Sequence, residues 1–247
     1  MKLHSDLCIG CGECVPVCPG EAIRWAGDES ASEPNVARID PEACLECQVC
    51  YRWGRCPVGA FEPEDDLSWP RSLRRLFSDP LAIFSGTTVS GRGTEEMKTN
   101  DVSGRFPDGV LGLSVDVGRP NAGTYFRDVD RITRALAPTG ARFATDNPMT
   151  ELMVDEASGA LRTDILGERV LSAVIEVTVS RDELPRALSV LNEVAEDIDT
   201  VFSVGLIGRL GGRYDLRSLQ RLAADSGRSP AGSAKINVGL GRPRAEI

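Results

Sequence analysis

Two stretches decide the fold of the first quarter of the chain, "CIGCGECVPVCP" (8–19) and "CLECQVCYRWGRCP" (44–57). Each places three cysteines at steps of three and then a fourth followed by proline: Cys8, Cys11, Cys14 and Cys18-Pro19, then Cys44, Cys47, Cys50 and Cys56-Pro57. All eight cysteines fall within residues 8–56. Disulfides do not generate two copies of such a pattern, and a chain in a reducing compartment has little use for them. Zinc sites pair two C-x2-C sets instead. Three thiolates at steps of three can wrap one face of an iron–sulfur cubane, and the stiff Cys-Pro holds the fourth away from them.

Over about residues 1–63 this pattern resembles the two-[4Fe–4S] bacterial ferredoxin family. The resemblance implies two [4Fe–4S] clusters with exchanged fourth ligands: Cys8, Cys11, Cys14 and Cys56 on one, Cys44, Cys47, Cys50 and Cys18 on the other. Gly10 and Gly12 allow a tight turn, and Ile9, Val15, Ile23, Leu45, Val49 and Val58 offer an apolar jacket. Two features depart from the simplest members. The second motif spaces its last cysteine by five residues, "YRWGR", and a polar insertion "GDESASEPN" (27–35) lengthens the segment between the motifs. Trp53, in the five-residue spacer, is expected to pack rather than to carry electrons.

Charge is uneven along the 247 residues. Residues 1–66 hold five Lys/Arg against thirteen Asp/Glu, and the rest is nearly balanced. An acidic first quarter argues against nucleic-acid binding, which needs a basic footprint. It suits docking to a basic redox partner as well as plain solubility. No apolar run is long enough to span a bilayer, and "MKLHSDLCIGCGEC" has no signal-peptide core, so a cytoplasmic location without membrane insertion is expected.

Residues 64–109 read as a linker carrying one short helix, with Leu73, Leu76 and Phe77 on a stripe that Pro80 ends, followed by a polar loop. From 110 to 247 the order of elements is regular. A strand at 110–117, a helix at 124–140 and a short strand at 141–144 are followed by a hairpin turning at Ala157-Ser158-Gly159. A long strand at 169–180, a helix at 181–198 with Asp182 near its N-terminus, and a strand at 200–210 come next. A helix near 215–225 and a strand "KINVGLG" (235–241) close the chain. The fold class is therefore α+β: the cluster domain plus a split-βαβ, ferredoxin-like sandwich, a name that describes sheet topology and carries no iron. Past residue 56 there is neither Cys nor His, and no Gly-x-Gly-x-x-Gly follows a strand. Cys nucleophiles, His acid–base chemistry and a Rossmann dinucleotide site are thus excluded there.

The loop "SGRGTEEMKTNDVSGRF" (90–106) has no helical or strand period and is dense in Arg92, Glu96, Lys98, Asn100, Asp101 and Arg105. Long loops of this composition are either functional or exposed connectors. With "VDVGRP" (115–120), "FRDVDRITRAL" (126–136) and "KINVGLGRP" (235–243), it resembles the N-terminal iron–sulfur half of the 6-hydroxynicotinate reductase family. That resemblance implies a reductase, or its electron-transfer subunit, acting on an N-heterocycle. Lys98, Asp101 and Glu96 have the chemistry of proton donors, and Asn100, Arg105 and Arg92 that of groups binding a lactam or carboxylate. The family's full enzyme is longer, so a partner catalytic or flavin subunit is also expected, and an oligomer is left open. The rival reading is a pure electron-transfer protein whose second domain docks a partner or senses a small molecule.

Overall fold

The computed structural model describes residues 1–25, 36–83, 101, 104–119 and 123–225. The cysteine-bearing part is built from small pieces: β1 (Lys2–Leu3), β2 (Ile23–Trp25), β3 (Ala37–Ile39), α1 (Val49–Trp53) and β4 (Phe61–Glu62). β1 pairs antiparallel with β4 and β2 with β3. The two pairings return the chain after each cysteine motif, and Met1, Ala22, Ile23, Ala37 and Phe61 bury between them.

The larger unit follows α2 (Ser72–Ser78): β5 (Val110–Val117), β6 (Thr124–Tyr125), α3 (Phe126–Leu136), β7 (Arg142–Phe143), α4 (Pro148–Glu151), β8 (Met153–Asp155), β9 (Ala160–Leu161), β10 (Arg169–Val170), β11 (Ala173–Ser180), α5 (Leu184–Val194), β12 (Phe202–Gly208) and α6 (Leu216–Asp225). Four of these strands form a sheet in the order β12-β5-β11-β7, every neighbour antiparallel. The α3 crossover therefore skips β11, and the α5 crossover skips β5.

Alternation fixes the faces. In β5, Leu111, Leu113, Val115 and Val117 point one way, and their register partners Val179, Val177, Ile175 and Ala173 in β11 point the same way; all eight are fully buried. The helices that cover them bury Phe126, Val129, Ile132 and Leu136 from α3 and Leu184, Ala187, Leu191 and Val194 from α5. The other face is smaller and more polar. Gly112 lies under the buried Phe106 ring, where a Cβ would come within 2.5 Å of the ring edge. That contact docks the 104–109 segment onto the sheet.

Two expectations change. The strand expected over 169–180 is two strands in different sheets: β10 pairs with β6, and β11 joins the main sheet. The break falls at Leu171, whose N–H donates to Ser78 Oγ of α2 at 2.9 Å. The helix expected from 181 begins at Leu184, so Asp182 lies in the turn just before it. Glu183 Oε2 accepts from the Ser180 N–H at 2.7 Å and Ser180 Oγ from the Glu183 N–H at 3.3 Å, a reciprocal pair that closes this turn. The strand expected at 235–241 lies outside the described residues.

α2 faces both parts of the molecule. Leu73 and Phe77, one turn apart, bury in the larger core, and the Phe77 ring meets Phe126 edge-on with centroids 5.2 Å apart. Phe77→Ala empties that position, and a loss of ~3–5 kcal/mol is expected in chemical denaturation. An effect near zero would mean that α2 is not part of this core.

Candidate metal centres

The two cysteine motifs reach the same backbone path by different means. In the first, Gly10 and Gly12 take left-handed conformations, φ 70° and 80°. The matching positions of the second motif, Glu46 and Gln48, adopt φ 55° and 59°, where an L side chain is strained. Both side chains are held in return. The fully buried Glu46 carboxylate accepts from the Met1 amino group at 2.6 Å and from Arg71 Nη2 at 2.6 Å. Burial alone would push that carboxyl up, but these hydrogen bonds outweigh it and hold it below the usual range. Gln48 Oε1 accepts from Arg52 Nη1 at 3.1 Å.

Two cavities open beside the motifs, and each is walled by four cysteines. The first is lined by Cys8, Cys11, Cys14 and Cys56 with Ile9, Trp25, Val58 and Phe61 among its other walls. The second is lined by Cys18, Cys44, Cys47 and Cys50 with Ile23, Ile39 and Leu45. Among the described residues backbone N–H groups point at cysteine sulfurs, Ala37 at Cys8 (3.4 Å), Ala22 at Cys18 (3.3 Å) and Ala60 at Cys56 (3.3 Å). Burial pushes the Cys44 thiol up to about 11, helped by the charge of Glu46. Burial and the neighbouring sulfurs push Cys50 up to about 12. Without a cationic core these thiols stay protonated at neutral pH; a soft metal converts them to thiolate ligands. Four thiols spread around one cavity suit a polynuclear core, so the donor set fits an iron–sulfur cluster.

The pattern of a 4Fe-4S dicluster domain matches residues 7–60. An uncharacterized ferredoxin of Methanocaldococcus jannaschii is 42% identical over 58 residues, which cover 24% of this chain and 69% of that protein. Ferredoxin-1 of Rhodobacter capsulatus is 40% identical over 56 residues, 23% of this chain and 75% of its own length. This chain belongs to the bacterial-type ferredoxin family. The ferredoxin domain carries iron–sulfur clusters and serves electron transfer. A longer relative, from the H2:CoB-CoM heterodisulfide,ferredoxin reductase of Methanothermobacter thermautotrophicus, is 33% identical over 78 residues, 26% of this chain and only 12% of that polypeptide. No solved structure matches the chain.

The apolar jacket of the ferredoxin domain is uneven. Ile23 and Leu45 are buried, whereas Ile9 and Val58 are exposed. Trp53 does not pack as expected: it is 73% exposed, and Tyr51 of the same helix is half-exposed. No helix among the described residues is long and apolar enough to cross a membrane.

Of the polar-loop residues, Arg92, Glu96, Lys98 and Asn100 lie outside the described residues. Asp101 accepts from the backbone N–H of Arg105 at 2.6 Å and of Phe106 at 2.9 Å, closing a turn that presents Phe106 to the sheet. Arg105 pairs with Asp146 through Nη2 and stands 4.0 Å from Glu176 Oε2 through Nη1. Glu176 is 1% exposed in the middle of β11 and accepts from Asn147 Nδ2 at 2.9 Å. Sequence reasoning passes over Glu176, although a lone acid inside "AVIEVTVS" is its signal. It also passes over Arg52, Arg71 and Arg74, which surround the second cysteine motif.

Proposed function

We propose that Cys8, Cys11, Cys14 and Cys56 hold one [4Fe–4S] cluster and that Cys18, Cys44, Cys47 and Cys50 hold the other. On this reading the chain passes low-potential electrons from the ferredoxin domain toward reduction of an N-heterocyclic, 6-hydroxynicotinate-like substrate. The observation that carries the ligand sets is the division of the eight cysteines into two four-thiol cavities, each taking its fourth cysteine from the other motif. The clusters, when bound, supply single low-potential electrons. The chain's own residues hold the thiolates, exclude water with Ile23, Ile39 and Leu45 at the second site, and hydrogen-bond the sulfurs of Cys8, Cys18 and Cys56.

The second domain is read as a split-βαβ sandwich. The sheet order and the two strand-skipping helices support this. Residues 1–63 then form the ferredoxin domain, 64–109 the linker helix and polar loop, and 110–247 the sandwich. Lys98, Glu96 and Asp101 are proposed as proton donors, and Arg92, Asn100 and Arg105 as substrate-binding groups. Arg105 is supported by its place beside the buried Glu176 on the face of the sheet opposite α3 and α5. A soluble cytoplasmic redox partner, or a separate catalytic subunit, would complete the path. The acidic surface of the first 66 residues favours a basic docking face on that partner. This same acidity keeps a second reading in play, a carrier with a partner-docking domain and no substrate of its own.

Protein purified without oxygen is expected to contain about eight iron and about eight labile sulfide per chain. Once reduced by dithionite and freed of excess reductant, it should be reoxidised by 6-hydroxynicotinate or its catalytic partner. Stoichiometric zinc without sulfide would end the cluster reading. Reoxidation by dyes alone, with no N-heterocycle accepted in the presence of the partner, would favour the carrier.

A further inference from the structure

Three guanidinium groups close around the Cys44–Cys50 motif, and two of them touch the backbone of cysteines in the second cavity. Arg74 is 4% exposed, and its Nη1 donates to the carbonyls of Pro41 (3.1 Å), Glu42 (2.8 Å) and Cys44 (3.0 Å). Arg52 Nη2 donates to the Cys47 carbonyl at 2.9 Å. Arg71 pairs with Glu46 and donates to the Pro41 carbonyl at 2.8 Å. Among the described residues the first cavity is walled beside its cysteines by apolar groups instead, Leu3, Ile9, Trp25, Val58 and Phe61 among them.

Each cation has a carboxylate, and Arg74 has a second, the solvent-exposed Glu42 at 3.8 Å, which water screens; where the shielded carboxylate lies decides the electrostatic effect. The Arg71 partner, Glu46, belongs to the motif itself, so the two charges act on the cavity nearly together. Arg74 differs. Its Nη1 faces the Cys44 carbonyl, while its Nε faces Glu168, a residue of the larger unit. The pair is a dipole with its positive end on the cysteine motif. Arg52 also pairs with a carboxylate, Asp79 at 2.7 Å, but through the same Nη2 that faces the Cys47 carbonyl, so its two contacts are not on opposite sides. Glu168 is fixed from behind, because its carbonyl accepts the N–H of Phe126, the first residue of α3, at 3.1 Å. Glu168 is partly shielded at 14% exposure and Arg74 is buried, so water screens the pair weakly.

Adding an electron to a cluster adds a negative charge, and the net charge and hydrogen bonds around a cluster are levers on its potential. We infer that Arg74 and Glu168 are an opposed pair that sets the reduction potential of the cluster in the Cys18, Cys44, Cys47 and Cys50 site. Arg74 favours the reduced form, and Glu168, supplied by the second domain, restrains it. The potential of this one cluster is thereby tied to the position of a second-domain carboxylate. A rearrangement that draws Glu168 away from Arg74 raises the potential and holds the electron in place; its return lowers the potential and favours release. This rests on the ligand sets proposed above and adds residues that are not ligands.

The test is a dithionite redox titration of the anaerobic holoprotein followed by electron paramagnetic resonance, comparing wild type with Arg74→Gln, Arg74→Lys and Glu168→Gln. The relevant signal is the one lost in Cys18→Ala. Arg74→Gln should lower the ratio of reduced to oxidised cluster at a fixed potential by about tenfold, equivalent to ~59 mV for one electron. Glu168→Gln, which keeps an acceptor for Arg74 but not its charge, should raise that ratio by a comparable factor. Arg74→Lys should stay closer to wild type than Arg74→Gln, and the signal that survives in Cys18→Ala should not move in any variant. A purely structural role predicts shifts of the same sign in both neutral variants, or none, and either result overturns the inference. If Arg74→Gln fails to assemble its clusters, Glu168→Gln decides alone: an unchanged or lowered ratio refutes the pair. A wild type lacking both cluster signals would instead refute the ligand sets.

Discussion

Cys18→Ala is expected to abolish the cluster held by Cys44, Cys47 and Cys50 while leaving the other intact, although Cys18 belongs by sequence to the first motif. Iron should fall from about eight to about four per chain, and one of two spectroscopic signals should vanish. Cys56→Ala should give the mirror image, removing the cluster of Cys8, Cys11 and Cys14. The reason lies in how the cavities are walled: Cys18 faces Cys44, Cys47 and Cys50, and Cys56 faces Cys8, Cys11 and Cys14. Loss of the Cys8 cluster from Cys18→Ala would mean that each motif keeps its own fourth cysteine. Conversion of the damaged site to a three-iron form, read from its spectrum, would still place Cys18 there. Neither mutation touches the large core, so the melting of α3 and α5 by far-ultraviolet circular dichroism serves as the control for folding.

The second large effect is expected at Lys98. If it donates a proton to the ring being reduced, Lys98→Ala should lower turnover of a 6-hydroxynicotinate-like acceptor, alone or with its partner, by a factor of ~100 to ~10,000. Both clusters and the reduction of a non-specific dye should be unaffected, since Lys98 is not a ligand. Lys98→Arg separates two roles. It keeps the charge, but a guanidinium does not give up its proton in proteins, so it restores binding and not protonation. Asp101 needs a different control. Its carboxylate holds the N–H groups of Arg105 and Phe106, so Asp101→Ala should also cost about 1 kcal/mol per lost hydrogen bond in denaturation. Full turnover by Lys98→Ala would move the protein to the carrier reading.

What can be read from the sequence follows from how local each signal is. The cysteine spacing is local and chemically narrow, so the ferredoxin domain is legible. The period-2 run of β5 and the apolar stripe of α3 are legible for the same reason. The break between β10 and β11 is not, because "RVLSAVIEVTVS" holds no Gly or Pro; the interruption comes from Ser78, 93 residues earlier, taking the Leu171 N–H. Glu46 and Gln48 are hidden in another way. Glycine is the residue that advertises a left-handed turn, and here a buried carboxylate and an amide occupy that geometry because Arg71 and Arg52 hold them. Arg74 carries no signal, since it reads as a surface residue of a short helix while its acceptors are carbonyls 30 to 33 positions away.

The reach of α2 across the molecule also sets an order of assembly. The carbonyls of Pro41, Glu42 and Cys44 are gathered by Arg74, and Arg74 is held in turn by Glu168, 94 residues further along. At the pace of translation that separation is on the order of ten seconds. Leu73 and Phe77 likewise have no core to enter until β5, α3 and β11 have been made. A nascent chain therefore exposes all eight cysteines while the backbone around Cys44 is still untied, and the finished second domain draws it shut. Iron and sulfide delivered before that moment meet an open vessel; delivered after it, they meet one already tied.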